Sequence, residues 1–275
     1  MEMTFDTGSD AMLRLINKLI DYGDTCEPRG LLCYELNNVQ IQIRRPWQIP
    51  LDVPGRNLNQ FIGAVEAAQL VGQISVPELV TDRVKAFNRF TDRGVFHGAY
   101  GARVSGRLDD LVNVLRNDRD SRQAVLTIYD SAVDLDAKKR DIPCTIAIQF
   151  MLRRNELLMR VMMRSNDIWL GFPYDIVQFA ALQAAIAADL DVPMGTYTHS
   201  VGSLHLYDND RETADEIRDA LPQQEARDYE PLWNGDIQMS SSRARRMLLG
   251  QEIRNPTTFE TWLGETLKPR PAVVS

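Results

Sequence analysis

The run Arg164-Ser165-Asn166-Asp167-Ile168-Trp169-Leu170-Gly171-Phe172-Pro173-Tyr174-Asp175-Ile176 stands between two segments of different period. In front of it, Thr145 to Leu152 and Leu157 to Met163 read as two strands, and the turn-like Arg153-Arg154-Asn155-Glu156 between them makes a hairpin. Behind it, Asp175 to Leu190 reads as an almost wholly apolar, alanine-rich helix, which belongs at the centre of a domain rather than on its surface. Thr196 to Leu206 then returns as a strand. On this reading Asp175 opens the helix, a position where aspartate is a favoured cap.

Working outward, Met12, Leu13, Leu15, Ile16, Leu19 and Ile20 have helical spacing, so a helix is expected from Asp10 to Tyr22 with Ser9 as its cap and Gly23 as its stop. A turn at Pro28-Arg29-Gly30 leads into Leu31 to Arg44, where Val39, Ile41 and Ile43 alternate with Gln40 and Gln42 as in a half-buried strand. Asn57 to Val71 and Ser75 to Phe90 read as two further helices. No repeat or low-complexity linker interrupts the chain, which predicts a single α+β domain over residues 1–275.

Hydrophobic residues at 44% and charged residues at 25% are those of an ordinary globular protein. A formal charge of −7 argues against grip on a polynucleotide backbone, which needs clustered, unopposed Lys and Arg. Three cysteines, Cys26, Cys33 and Cys144, cannot all pair and show no Cys-x-x-Cys spacing, so neither a disulfide framework nor a metal site is expected, and a reducing, cytoplasmic setting is. The first twenty residues lack a basic segment followed by an apolar block, and no run of about 18 apolar residues occurs, so neither export nor a membrane span is expected.

Pro143-Cys144, Gln149-Phe150, Arg164-Ser165, Asp167, Leu170-Gly171, Pro173 and His205-Leu206-Tyr207 form one ordered pattern, and that pattern resembles the thymidylate synthase family. The similarity is strong from Pro143 to Tyr207, moderate over Asp10 to Arg29 and Glu66 to Tyr100, and faint over Leu221 to Thr257. It implies a thymidylate synthase-like fold, a large mixed sheet with packed helices, and a homodimer joined through the sheet. It also implies a pyrimidine nucleoside monophosphate as substrate and 5,10-methylenetetrahydrofolate as co-substrate. Cys144 takes the position of the nucleophile, whose soft thiolate suits addition to a pyrimidine C6. Glu66, among apolar neighbours, takes that of the general acid/base, and Tyr100 joins its proton network.

Arg29, Arg164 and Ser165 match the phosphate site, and Arg122 matches an arginine that reaches the neighbour's phosphate across the dimer, although Gln123 replaces a second one. His205 and Tyr207 match the sugar-binding pair, with Ser203 in place of an aspartate before them. Thr145 stands where a histidine usually follows the nucleophile. Asp167, Leu170, Gly171 and Tyr174 match folate-facing positions, and Ala272-Val273-Val274 is similar to a tail that folds over the cofactor. The arginines Arg243, Arg245 and Arg246 read as a solvated face, which a polyglutamylated folate could also use.

The informative departure is Asp175, where the family normally has asparagine. A carboxyl group can accept from the 4-amino group of cytosine and, when protonated, donate to N3. The resemblance therefore implies a cytidylate 5-hydroxymethyltransferase, dCMP favoured and CMP second, with Cys144 adding to C6 and water adding to an exocyclic methylene. The polar Phe87-Asn88-Arg89-Phe90 segment, where methylating members are rich in tryptophan, favours water. The alternatives are a cytidylate C5-methyltransferase, a thymidylate synthase, or a non-catalytic nucleotide- or RNA-binding member.

Overall fold

The structure is a computed structural model that describes residues 1–91, 94–136, 138–139, 141–220 and 239–268. The Ala272-Val273-Val274 tail and, of the Leu221 to Thr257 segment, residues 221–238 lie outside the described residues. The strands are β1 (Glu2–Phe5), β2 (Asp24–Cys26), β3 (Cys33–Ile43), β4 (Val125–Thr127), β5 (Thr145–Arg153), β6 (Glu156–Asp167) and β7 (Met194–Tyr207). The helices are α1 (Gly8–Tyr22), α2 (Gln60–Gly72), α3 (Pro77–Thr81), α4 (Tyr100–Arg103), α5 (Leu108–Asn117), α6 (Ser131–Asp134), α7 (Phe172–Asp189), α8 (Arg211–Ala220), α9 (Ser241–Leu248) and α10 (Thr258–Leu267).

The strands form one mixed seven-stranded sheet in the order β1-β3-β7-β6-β5-β4, with β2 also pairing to β3. The β5–β6 hairpin closes through Arg154 and Asn155 at φ 53° and 63°, the left-handed pair that a two-residue turn demands. β6 and β7 run parallel, so the α7 crossover between them lies over the sheet. Alternate residues Val39, Ile41, Ile43, Leu157, Met159, Val161, Met163, Tyr197, His199 and Val201 are buried. Their neighbours Gln40, Gln42, Leu158, Arg160, Met162, Thr198 and Ser200 remain partly or fully exposed, leaving one face of the sheet open in a single chain.

Fifteen of the eighteen residues of α7 are buried, as its composition implied, because it packs against α1, α2, α5, β6 and β7. In its C-terminal half Gln183 is tied to the sheet, its Nε2 donating to the carbonyls of Leu157 (2.8 Å) and Gly195 (3.0 Å).

Four sequence expectations need correction. The α1 cap is Thr7, whose side chain accepts from Asp10 N, while Ser9 lies inside the helix and its hydroxyl instead accepts from Asp52 N. The Ser75 to Phe90 helix is broken: α3 is followed by a separate 3-10 turn at Lys85–Phe90, with Val84 in a non-helical conformation between them. The second helix starts at Gln60, capped by Asn59, rather than at Asn57. Asp175 does not open α7, which begins at Phe172 with Gly171 at the cap position. β1, which no alternation in Glu2–Phe5 announced, is held as an edge strand parallel to β3. Gly23 does stop α1: its N–H bonds to Leu19 O, and a Cβ there would meet that same carbonyl at 2.4 Å.

Replacing Gln183 with leucine keeps the volume and strips two buried carbonyls of a donor. The expected loss is about 1–3 kcal/mol of unfolding free energy. Urea denaturation would measure it, and an unchanged midpoint would show that the tie contributes nothing.

Candidate active site

Three chain ends converge beside the N-terminal turn of α7: the residue before β5, the end of β6 and the end of β7. Arg164 N donates to Cys144 O (2.8 Å), which fixes the nucleophile candidate against β6. The Arg164 guanidinium then wraps the same turn, donating from Nε to Pro143 O (3.0 Å), from Nη2 to Ile142 O (3.0 Å) and from Nη1 to Ser165 Oγ (3.2 Å). Arg164 Nη2 and Ser165 Oγ each lie 3.7 Å from Cys144 Sγ. Burial pushes the Cys144 thiol up, and the Arg164 charge and the Ser165 hydroxyl pull it back toward thiolate.

Asp175, only 7% exposed, accepts from Asn166 Nδ2 at Oδ2 (2.7 Å) and from Gln178 Nε2 at Oδ1 (3.0 Å). Burial raises its carboxyl to about 7, against the pull of the Asn166 and Gln178 hydrogen bonds. Gln178 Nε2 also lies 3.5 Å from Glu66 Oε2 on α2, so one amide links both carboxyls. Burial, and then the charge of Asp175, raise Glu66 to about 8. Both groups therefore hold or release a proton near neutral pH, the range in which acid–base chemistry works best. Tyr100, stacked on Phe179 with ring centroids 5.9 Å apart, is pushed well above its ordinary value by burial, with Asp175 and Cys144 adding to the shift.

On β7, His205 and Tyr207 pack edge to face at 5.1 Å, and His205 sits in register with Asp167 of β6. Across the other side, His205 pairs in register with Glu35 of β3, whose Oε2 accepts from Ser203 Oγ at 2.5 Å. That hydroxyl holds Glu35 below the usual carboxylate range, so β3 returns a carboxylate to the neighbourhood where Ser203 had removed one. Glu35 escaped the sequence reading because only strand pairing brings it there.

The folate-facing expectations fall on one turn. Asp167 Oδ1 accepts from Trp169 N (2.8 Å) and Leu170 N (3.0 Å), and Arg56 clamps the turn from outside, donating to Trp169 O (3.2 Å) with its guanidinium 4.5 Å above the indole. Leu170 is left 46% exposed, an apolar surface beside a carboxylate. A Cβ on Gly171 would stand 3.0 Å from Asn166 Nδ2 and 3.5 Å from Asp175 Oδ2, so glycine leaves room for that contact. Tyr174 has its hydroxyl committed to Asn59 N (3.1 Å) at the start of α2.

Two arginines have no side-chain hydrogen bond or ion pair to this cluster among the described residues. Arg29 is exposed between β2 and β3 with φ 58°. Arg122 is exposed beside β4, where its carbonyl accepts from Gln149, five residues beyond Cys144 on β5 and so about 16 Å along the strand. Within one chain the structure does not bring Arg122 to Arg164. The Arg243–Arg246 run is not a free basic face: Arg243 is paired with the buried Glu260, Arg245 with Gly72 O and Arg246 with Glu252 O. Cys26 and Cys33 are free thiols with Sγ atoms 3.3 Å apart across β2 and β3, and burial helps push Cys33 up to about 12. Among the described residues, no helix is long and apolar enough to cross a membrane.

The raised carboxyls make stability depend on pH. In the unfolded chain Glu66 and Asp175 ionise near 4.5 and 3.8, whereas the folded protein holds their protons to about 8 and 7. Between those limits the folded state binds more protons, so stability is full below the lower values and drains as pH rises through the upper ones, by up to about 1.4 kcal/mol per pH unit per group. Glu66→Gln is expected to lose less stability than the wild type between about pH 5 and pH 9 in urea unfolding. Parallel losses in the two proteins would mean that Glu66 ionises freely when folded.

Similarity to known proteins agrees with this geometry. The chain is 31% identical over 214 residues to a deoxyuridylate hydroxymethyltransferase of Bacillus phage SP01, covering 71% of this chain and 56% of that protein. It is 30% identical over 172 residues to the protein of the same name in Pseudomonas phage M6, covering 60% of this chain and 49% of that one. A putative thymidylate synthase of Methanothermobacter marburgensis is 26% identical over 229 residues, 78% of this chain and 97% of that protein. The chain thus spans about half the length of the phage relatives it matches. The family model described as Thymidylate synthase matches residues 69–229, more than half of the sequence and all of the Cys144–Asp175–Tyr207 cluster, and the chain belongs to the thymidylate synthase family.

Proposed function

We propose that this chain is a folate-dependent transferase that adds a one-carbon unit to C5 of a cytidylate, dCMP in first place and CMP in second, with water completing the reaction to give the 5-hydroxymethyl nucleotide. The observation that carries the reading is the Asp175 carboxyl, buried, held by two amides and poised near neutral pH next to Cys144 and Glu66. Cytosine presents an acceptor at N3 and a donor at its 4-amino group. It can take the proton of Asp175 onto N3 and form a charge-assisted, two-point contact with the carboxylate. Addition of a thiolate at C6 removes ring conjugation and makes N3 more basic, so the contact strengthens as the reaction proceeds.

In this scheme Cys144 adds to C6, with Arg164 and Ser165 favouring its thiolate. Methylenetetrahydrofolate supplies the one-carbon unit to C5, and the exposed Leu170 beside Asp167 offers an apolar surface and a carboxylate suited to a pterin. Glu66 holds the proton that C5 or the adding water exchanges. A homodimer accounts for two features at once. It covers the open face of the sheet, and it gives the exposed Arg122 a nucleotide phosphate to bind in the neighbouring subunit.

The phage relatives' names favour a second reading, deoxyuridylate hydroxymethylation. A neutral carboxyl can also donate to O4 and accept from N3–H of uracil. It stands second because uracil cannot take the proton itself, and the pair stays neutral.

Asp175→Asn is expected to lose much of its activity on dCMP and gain on dUMP, with phosphate recognition intact. Sites that read such groups discriminate by up to about 10⁴. The ratio of kcat/KM for dCMP and dUMP measures this directly, and an unchanged ratio would remove Asp175 from base recognition. Cys144→Ser is expected to abolish turnover while nucleotide still binds; product formation near the wild-type rate would take Cys144 out of the mechanism.

A further inference from the structure

Behind Asp175 lies a buried hydrogen-bonded chain that the catalytic scheme does not use. Asn166 Nδ2 donates to Asp175 Oδ2 (2.7 Å), Asn166 Oδ1 lies 2.9 Å from His199 Nε2, and His199 Nδ1 lies 2.7 Å from the Tyr197 hydroxyl. Tyr197 and His199 are 0% exposed and Asn166 is 2% exposed. Phe172 packs edge to face on the imidazole at 5.4 Å, and Tyr197 does so at 5.7 Å. Beyond burial, Asp167 from β6 raises Asp175, Asp175 in turn raises Glu66 on α2, Tyr100 on α4 and Cys144 before β5, and Asp175 and Tyr100 both raise Tyr197.

Such a chain has two self-consistent directions. In one, Tyr197 donates to His199 Nδ1, His199 Nε2–H donates to Asn166 Oδ1, and the Asn166 amide donates to Asp175. In the other, every bond reverses, the Asn166 amide flips, and Asp175 must turn a proton inward to Asn166 Oδ1. Reversal also leaves the Tyr197 O–H without an acceptor, since its one hydrogen-bond partner among the described residues is His199. Burial pushes His199 down to about 3, so the ring is neutral and carries a single N–H. The first direction is therefore the one that satisfies every donor.

The direction matters because a neutral carboxyl is ambivalent: which oxygen carries the proton decides which base edge it matches. An oxygen that accepts a short bond from a locked donor favours the carbonyl form. Asn166 is locked by His199, whereas the Gln178 amide on the other oxygen is shared with Glu66 and free to yield. We propose that Asn166 and His199, backed by Tyr197, are positioning residues for base recognition: they pin Asp175 Oδ2 as an acceptor and direct the Asp175 proton toward the nucleotide. The proposal rests on the reading of Asp175 as the base-facing group.

The test uses the full chain. The three histidines, His97, His199 and His205, make the imidazole ¹⁵N spectrum simple to assign with single variants. His199 is expected to show the Nε2–H tautomer alone, with no titration across neutral pH. In kinetics on dCMP and dUMP, His199→Phe and Tyr197→Phe are expected to raise KM for dCMP at least about tenfold, with a smaller change in kcat. They should also narrow the dCMP/dUMP preference and move the Asp175-dependent break in the pH profile upward, since one unit in pKa is a factor of ten in protonation. His199→Gln, which keeps an N–H toward Asn166, is expected to restore most of the preference. An Nδ1–H tautomer overturns the proposal, as do folded His199→Phe and Tyr197→Phe proteins with the wild-type pH break and ratio. A wild type that prefers dUMP defeats the cytidylate reading instead; the tautomer and the shift of the pH break, measured on dUMP, then still decide whether the chain directs the Asp175 proton.

Discussion

The burial of one carboxyl group organises this site. Asp175 sits in the first turn of α7, a helix with fifteen of its eighteen residues buried, so solvent has little access to its charge. A lone ionised carboxylate in such a place is costly. The protein answers with the amides of Asn166 and Gln178 and with a pKa of about 7, so that the group stays half-committed to its proton. The surroundings follow from that constraint. Gly171 clears space for Asn166, Asn166 is held by His199, and Gln178 joins Asp175 to Glu66.

The candidate nucleophile is also raised by burial, but a neighbouring cation pulls against the shift. Cys144 lies beside a guanidinium that offsets part of its burial and of the repulsion from Asp175 and Asp141, and Arg164 also donates to the carbonyls of Ile142 and Pro143 and to Ser165. An arginine that resembles a phosphate ligand is thus also the brace of the turn that carries the thiol. Fork geometry lets one planar group do both, which a lysine could not. On the proposed scheme, nucleotide binding and thiolate formation would be coupled through that one side chain.

Much of this was legible before the fold was known, because local rules and pattern pointed the same way. The turn-like Arg153-Arg154-Asn155-Glu156, the alternation in β3 and the apolar run of α7 pointed to the hairpin, a half-buried strand and the buried helix that the structure contains. What escaped depended on tertiary pairing. β1 is a strand because β3 offers it an edge, and Glu35 reaches the site because its register places it opposite His205. Val84 breaks the third helix although the apolar spacing continues through it. His199 was within reach, since Tyr197, His199, Ser203, His205 and Tyr207 share one parity on β7. Asn166, between two residues with matched roles, was given no role from the sequence.

The proposed function stands or falls with the carboxyl at position 175 as a reader of cytosine. The most direct measurement is mass analysis of the nucleotides formed by the wild-type chain from dCMP, CMP, dUMP and UMP, each supplied with methylenetetrahydrofolate. The account requires dCMP to gain one hydroxymethyl group faster than any of the others. Modification of dUMP with dCMP untouched would contradict it.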